Sequence, residues 1–216
     1  MDIYRTEEEQ IEYLKAWGKK YGKTVIFSVA FALVVIFGGR YWQQQHEQYA
    51  IQASTGYQVL LQERALGQND IAKTQANFLK QNYAKTPYAG FSGLFLAKIL
   101  IEENKLSEAE KELHGVLDSS TDKTVRQIAR IRYARLLISQ NKNQDALKLL
   151  ETIDNPSYKM LIEESKGDAY FAEKNIPKAL TAYRAAVKSA LPGVTPTPLL
   201  KMKLQDLETN TIEKEL

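Results

Sequence analysis

Glu173-Lys174-Asn175-Ile176-Pro177-Lys178-Ala179 is a polar turn that runs into a helix start. The same arrangement occurs twice earlier, as Glu103-Asn104-Lys105-Leu106-Ser107-Glu108-Ala109 and Gln140-Asn141-Lys142-Asn143-Gln144-Asp145-Ala146. The alanines that close the three stretches, Ala109, Ala146 and Ala179, are 37 and then 33 residues apart. Other positions keep the same register. Leu113, Leu150 and Tyr183 each follow the alanine by four residues, Ala97, Ala134 and Gly167 precede it by twelve, and Leu100, Leu137 and Tyr170 by nine. A repeat of this length is one helix pair that cannot bury its apolar face alone, so successive pairs must stack.

The residue types fit that stacking. Two antiparallel helices cross closely only where both carry small side chains, which assigns Ala97, Ala134 and Gly167 to the first helices and Ala109, Ala146 and Ala179 to the second. Leucine or tyrosine then fills the space between pairs. The period is that of tetratricopeptide helix pairs. The third repeat matches their pattern best, at Gly167, Tyr170, Ala179, Tyr183 and Ala186, and departs from it where Glu163 and Lys166 replace the usual Trp and Leu. Ser107 with Glu110 reads as a capping box, and Pro177 sits at a helix start, where its missing N–H costs nothing. The clearest repeats are 90–122, 127–159 and 160–192.

Beyond them, Pro192-Gly193-Val194-Thr195-Pro196-Thr197-Pro198 breaks the helix. Residues 199–208 read as a capping helix with Leu200, Leu204 and Leu207 inward and Lys201, Lys203 and Asp206 outward; Asn210 to Leu216 is expected to fray. Before the repeats, Asp70 to Tyr83 reads as a helix carrying Ile71, Ala72, Ala76, Phe78 and Leu79, closed off by Thr86-Pro87. Gln43 to Ala65 reads as another, with Tyr49, Ala53, Gly56, Tyr57, Leu60 and Leu61 as its stripe.

Further back, Thr24 to Gly39 contains no charge and is closed by Lys23 and Arg40. Trp17 and Tyr21 precede it, and Tyr41 and Trp42 follow. Counted from Tyr21 to Trp42, a helix of this segment reaches across the ~30 Å of a bilayer's hydrocarbon core, with aromatic rings at both interfaces. A cleaved signal peptide would need small residues at its end, but the small pair Ala30-Phe31-Ala32 lies inside the apolar run. Arg5, Lys15, Lys19, Lys20 and Lys23 lie before the span, whereas Arg40 is followed by no Lys or Arg until Arg64. The basic flank stays in the cytoplasm, so residues 1–23 form a cytoplasmic tail, 24–42 a transmembrane helix in lipid, and 43–216 a translocated domain. The tail opens with a capping box, Thr6-Glu7-Glu8-Glu9, and Ile11, Leu14, Trp17 and Tyr21 follow at helical spacing. This is either an amphipathic helix at the inner membrane face or a helix that continues into the span. The fold class is thus all-α: one N-terminal transmembrane helix, then a tetratricopeptide-like solenoid of about four helix pairs with a cap.

Composition narrows the function. Lys and Arg number 29 against 26 Asp and Glu, too even a balance for a nucleic-acid partner. Cysteine is absent, and the two histidines, His46 and His114, are too far apart for a local motif. No glycine-rich phosphate loop or metal-ligand spacing occurs, so an enzyme is not expected, nor a cofactor or small-molecule substrate. Carboxylates such as Glu108 and Glu112 fall near Lys111 on solvated faces. Arg126, Arg130, Arg132 and Arg135 form a basic helix, read as solvated or paired with acids of adjacent repeats, with contact to a partner as the lesser alternative.

The acidic capped start, the aromatic and lysine approach to the span, the exit Gly39-Arg40-Tyr41-Trp42 and the helix pairs together resemble the YfgM family, an ancillary subunit of the bacterial Sec translocon. The resemblance covers the whole chain. It implies an inner-membrane, non-enzymatic adaptor whose periplasmic repeats associate with the translocon. It also implies a link to a membrane-anchored periplasmic foldase or chaperone of the PpiD type that receives emerging clients, and a regulatory role for the tail. The alternative is a membrane-anchored repeat scaffold for another cell-envelope machine, such as cell-wall assembly.

In tetratricopeptide arrays the first helix of each pair lines the concave face. The positions here are Phe91, Leu94 and Lys98, then Ile128, Ile131 and Arg135, then Leu161, Glu164, Asp168 and Phe171. The Lys-Asn clamp with which cytosolic adaptors of this fold grip a terminal carboxylate is missing. The groove is expected to be apolar with scattered charge, suited to an extended segment or an amphipathic helix, with Ile128, Ile131 and Leu161 as readily core as groove.

Overall fold

The computed structural model describes residues 7–152 and 155–215, with side chains placed for 10–152 and 155–209. The Thr6 capping box lies outside them. Every element among the described residues is helical: α1 Glu7–Ala65, α2 Asn69–Asn82, α3 Pro87–Glu102, α4 Leu106–Ser119, α5 Lys123–Ser139, α6 Asn143–Glu151, α7 Lys159–Ala172, α8 Ile176–Lys188 and α9 Pro198–Glu215, with one 3₁₀ turn at Pro156–Tyr158. The chain divides into two compact units, Met1–Ile51 and Gln52–Leu216.

In the first unit the tail does not form a separate helix: α1 begins at Glu7 and runs without a break. No proline interrupts it. It is the one helix among the described residues long and apolar enough to cross a membrane. Its large apolar side chains stand exposed all round: Ile26 69%, Phe27 75%, Phe31 71%, Phe37 66%. In water such a surface would be untenable; in lipid it is the stable arrangement, because the helix satisfies its own backbone.

The second unit is a tetratricopeptide-like solenoid. The last part of α1 pairs with α2, α3 with α4, α5 with α6 and α7 with α8, and α9 packs on α8. Ala97, Ala109, Ala134, Ala146, Ala179 and Ala186 are all buried, and so are Gly167 and Tyr183; Tyr170 is half-buried. Each first helix also touches the next, α3 on α5 and α5 on α7. The pairs form the apolar clusters Leu94–Leu113–Val116–Val125 and Ile131–Leu137–Leu150–Ile162. A third, Tyr183–Leu200–Leu207, is closed by α9.

The turn inside each pair has one geometry. Asn104, Asn141 and Lys174 hold φ of 59°, 61° and 60°, at the same register position. Left-handed backbone costs an ordinary L-residue, whereas asparagine tolerates it. Lys174→Asn should therefore stabilise the chain by roughly 0.5–1 kcal/mol, part of that strain. A thermal melt of the full chain checks it, and an unchanged or lower midpoint would contradict it.

Several expectations are corrected. Ser107 and Glu110 form no capping box, because the left-handed turn makes Lys105 the N-cap of α4 and puts Ser107 inside the helix. Glu110 instead accepts from the Tyr133 hydroxyl at 2.7 Å. Leu61 (47%), Ile71 (53%) and Phe78 (48%) are exposed, since α2 turns Ala72, Ala76 and Leu79 inward against Leu60. Helix α9 continues past Glu208 to Glu215. Its Lys203 does not face solvent but turns back onto α7.

Ion pairs connect successive pairs on the outside: Arg64–Glu102 at 2.6 Å, Lys73–Glu103 at 2.7 Å, Lys80–Glu112 and Lys142–Glu110 at 3.4 Å. Exposed pairs of this kind contribute about 0–1 kcal/mol each, so burial between helices carries the stability. Hydrogen bonds from Lys105 and then Lys73 hold the Glu103 carboxyl down at about 2.

Candidate functional site

Among the described residues, two cavities lie on the face built by the first helices and a third lies between α7, α8 and α9. One of about 240 Å³ lies among Tyr57 of α1, Phe91, Leu94, Phe95 and Lys98 of α3, and Ile128 and Arg132 of α5. A second, of about 410 Å³, shares Leu94, Lys98 and Arg132 with it and continues along Ala97, Ile101, Glu102, Leu113, Arg135, Leu136 and Ser139. The third, of about 380 Å³, lies between Asp168 and Phe171 of α7, Tyr183 of α8, and Lys203, Asp206 and Leu207 of α9.

The ten positions expected to line a groove separate into groups. Phe91, Leu94, Lys98 and Ile128 come together with Tyr57 at the first cavity, and Leu94, Lys98 and Arg135 at the second. Asp168 and Phe171 line the third. Ile131 is 4% exposed and belongs to the core with Ile162, against which Leu161 packs. Leu94, also 4% exposed, is the floor of its cavities and a member of the core at once. Phe171 is 52% exposed and free to meet a partner.

Glu164 is taken up by the fold. It is buried, with Arg135 at 3.6 Å and Lys203 at 3.2 Å. Lys203 also reaches Asp168 at 2.7 Å, and Asp168 accepts from the Tyr183 hydroxyl at 2.7 Å. Burial, and then that bond, raise the Tyr183 phenol well above its usual range. Arg135 Nε donates to Ser165 Oγ at 3.1 Å. This network ties α5, α7, α8 and α9 together. Lys203→Met would leave Glu164 and Asp168 without their ammonium, at an expected cost of about 1–3 kcal/mol. The triple change with Glu164→Gln and Asp168→Asn should recover most of it in a thermal melt. A melt unmoved by Lys203→Met would show the network to be idle.

Sequence reasoning missed Tyr57, Ile101 and Lys203 as site residues and gave Arg132 a partner contact only as the lesser alternative. Arg132 belongs to the basic helix, in which, among the described residues, only Arg135 pairs with an acid of the next repeat. Arg132 Nη1 donates to the Leu94 carbonyl at 3.4 Å and has no acid partner among the described residues. Tyr57 was counted as part of an apolar stripe; it is half-buried and stacks near Tyr88 at 5.8 Å and Phe91 at 5.9 Å. Burial raises its phenol, and the Arg132 charge works against that rise.

A family model described as a tetratricopeptide repeat-like domain matches residues 15–209. An ancillary SecYEG translocon subunit of Escherichia coli is 27% identical over 209 residues, spanning 96% of this chain and 99% of that protein. One from Haemophilus influenzae is 30% identical over 204 residues, spanning 93% and 97%. One from Buchnera aphidicola subsp. Schizaphis graminum is 39% identical over 116 residues, spanning 54% and 59%.

Proposed function

The chain belongs to the tetratricopeptide repeat-like family and, within it, to the YfgM family of ancillary SecYEG translocon subunits, and on that premise we propose that it is a membrane-anchored adaptor of the Sec translocon. The single observation that carries this is near full-length similarity to those subunits in a chain whose organisation is one apolar helix joined to a repeat solenoid. The apolar segment of α1 is a single-pass inner-membrane anchor. The basic residues before it set the N-terminus in the cytoplasm and the solenoid in the periplasm. There the repeats link the translocon to a membrane-anchored chaperone of the PpiD type that receives emerging clients. The binding surface is the face of the first helices, with Phe91, Lys98, Ile128, Arg135 and Phe171 as its accessible members. The contribution of the chain is binding, with no chemical step.

Crosslinking through the repeat domain, followed by identification of the adducts, tests the association. Translocon subunits and a periplasmic chaperone are expected; adducts confined to cell-wall assembly proteins would favour a different envelope scaffold. Orientation is tested separately. A reporter active only outside the cytoplasm, fused after Leu216, is expected to be active. Activity of a cytoplasmic reporter alone at that site would overturn the periplasmic assignment.

A further inference from the structure

The first and second cavities are one groove along α3 and α5, because Leu94, Lys98 and Arg132 line both. At that shared middle the donors outnumber the acceptors. The Arg132 guanidinium is exposed and meets no carboxylate among the described residues. The Lys98 ammonium, 65% exposed, has Glu102 at 3.9 Å, but that carboxylate is already held by Arg64 at 2.6 Å. The Tyr57 hydroxyl has no hydrogen-bond partner among the described residues. Arg135 adds a third cation farther along, only partly engaged by Glu164.

Apolar surface continues on both sides of these donors. On one side are the Tyr57 and Phe91 rings and Ile128. On the other is Ile101, which is 41% exposed, with the buried Leu136 as the floor beside it. A terminal carboxylate would leave one side empty. An internal acidic residue with an apolar neighbour before and after it fills both and gives Arg132 and Lys98 an anion.

We propose that this groove binds an internal segment of a partner protein in which one Asp or Glu side chain is flanked on both sides by apolar anchors. The carboxylate meets Arg132 and Lys98; one anchor lies on Tyr57, Phe91 and Ile128, the other on Ile101 and Leu136. This rests on the adaptor reading only in taking the occupant to be a protein.

The probes are dye-labelled, end-blocked peptides with leucine, glutamate and phenylalanine separated by one to three serine or alanine residues. Matched sets carry glutamine for glutamate, or a free C-terminus in its place. Binding to the full chain in nanodiscs is read by fluorescence anisotropy. At least one glutamate peptide should bind about 10–100-fold more tightly than its glutamine twin, the range expected for charge-assisted hydrogen bonds. In Arg132→Gln with Lys98→Gln the two should bind alike, and Arg132→Lys should keep part of the preference. Equal binding of the twins to the unaltered chain, tighter binding of the free C-terminus, or no binding by any peptide would each overturn the proposal. The comparison of twins on the unaltered chain needs no variant, so a folding defect cannot mask the answer. Translocon crosslinks reporting failure while the glutamate preference persists would sink the adaptor reading alone. Crosslinks retained without that preference would sink this inference alone.

Discussion

Gly167→Ala lowers the stability of the repeat domain by about 1–3 kcal/mol, although glycine to alanine inside a helix ordinarily gains about 1 kcal/mol. The sign reverses because of one side chain. A Cβ at Gly167 would lie 2.4 Å from Tyr183 Cε1 and 2.5 Å from Cδ1. Tyr183 is 2% exposed, and its hydroxyl is held by Asp168 at 2.7 Å, so the ring can shift only by breaking that bond. Gly115 in α4 supplies the control: a Cβ there meets nothing within 4 Å. Gly115→Ala should raise the melting midpoint of the full chain, and Gly167→Ala should lower it. Shifts of the same sign at both positions would mean that the helices of the third pair are not locked by Tyr183.

The second large effect separates core from surface. Leu94→Ala should cost about 2–5 kcal/mol, as large-to-small changes in a packed core do. Leu94 packs in one cluster with Leu113, Val116 and Ala129, where little can collapse into the space. Phe171→Ala, by contrast, should stay within about 0.5 kcal/mol, as exposed positions usually do. Denaturant unfolding of the two variants is the check. The pair cannot be used together as a neutral probe of binding, because the leucine change acts on folding first. Phe171→Ala alone is the variant whose binding loss can be read cleanly. A cost above about 2 kcal/mol at Phe171 would place it in the core too.

How well each part could be read follows from how many neighbours a helix has. The second helices, α2, α4, α6 and α8, bury one face, so their alanines fall at a register visible in the sequence: Ala76, Ala109, Ala146 and Ala179. The crossing position is equally legible, because only Gly or Ala fits there. The first helices lie between their own partners and the next pair, so apolar residues surround them and no single stripe marks the groove. That is why Ile131 could not be told from Ile128, and why Leu94 was placed in the groove with Phe91. Long-range pairs were hidden for a different reason. Glu164 and Lys203 are 39 residues apart, and nothing local in α9 marks its lysine as inward. The left-handed turn was visible as polarity at Asn104 and Asn141, but Lys174 carries no sign of it, and the Ser107 capping box was misread for the same reason. The continuous helix through the anchor was one of two readings of the tail, left undecided because helical spacing alone does not say where a helix stops.

The association with the translocon is tested most directly by isolating the full chain from gently solubilised membranes through a C-terminal tag and quantifying what accompanies it. The account predicts SecYEG subunits enriched well above a control with an unrelated single-pass anchor. SecYEG at the level of that control, with another envelope complex enriched in its place, would contradict it.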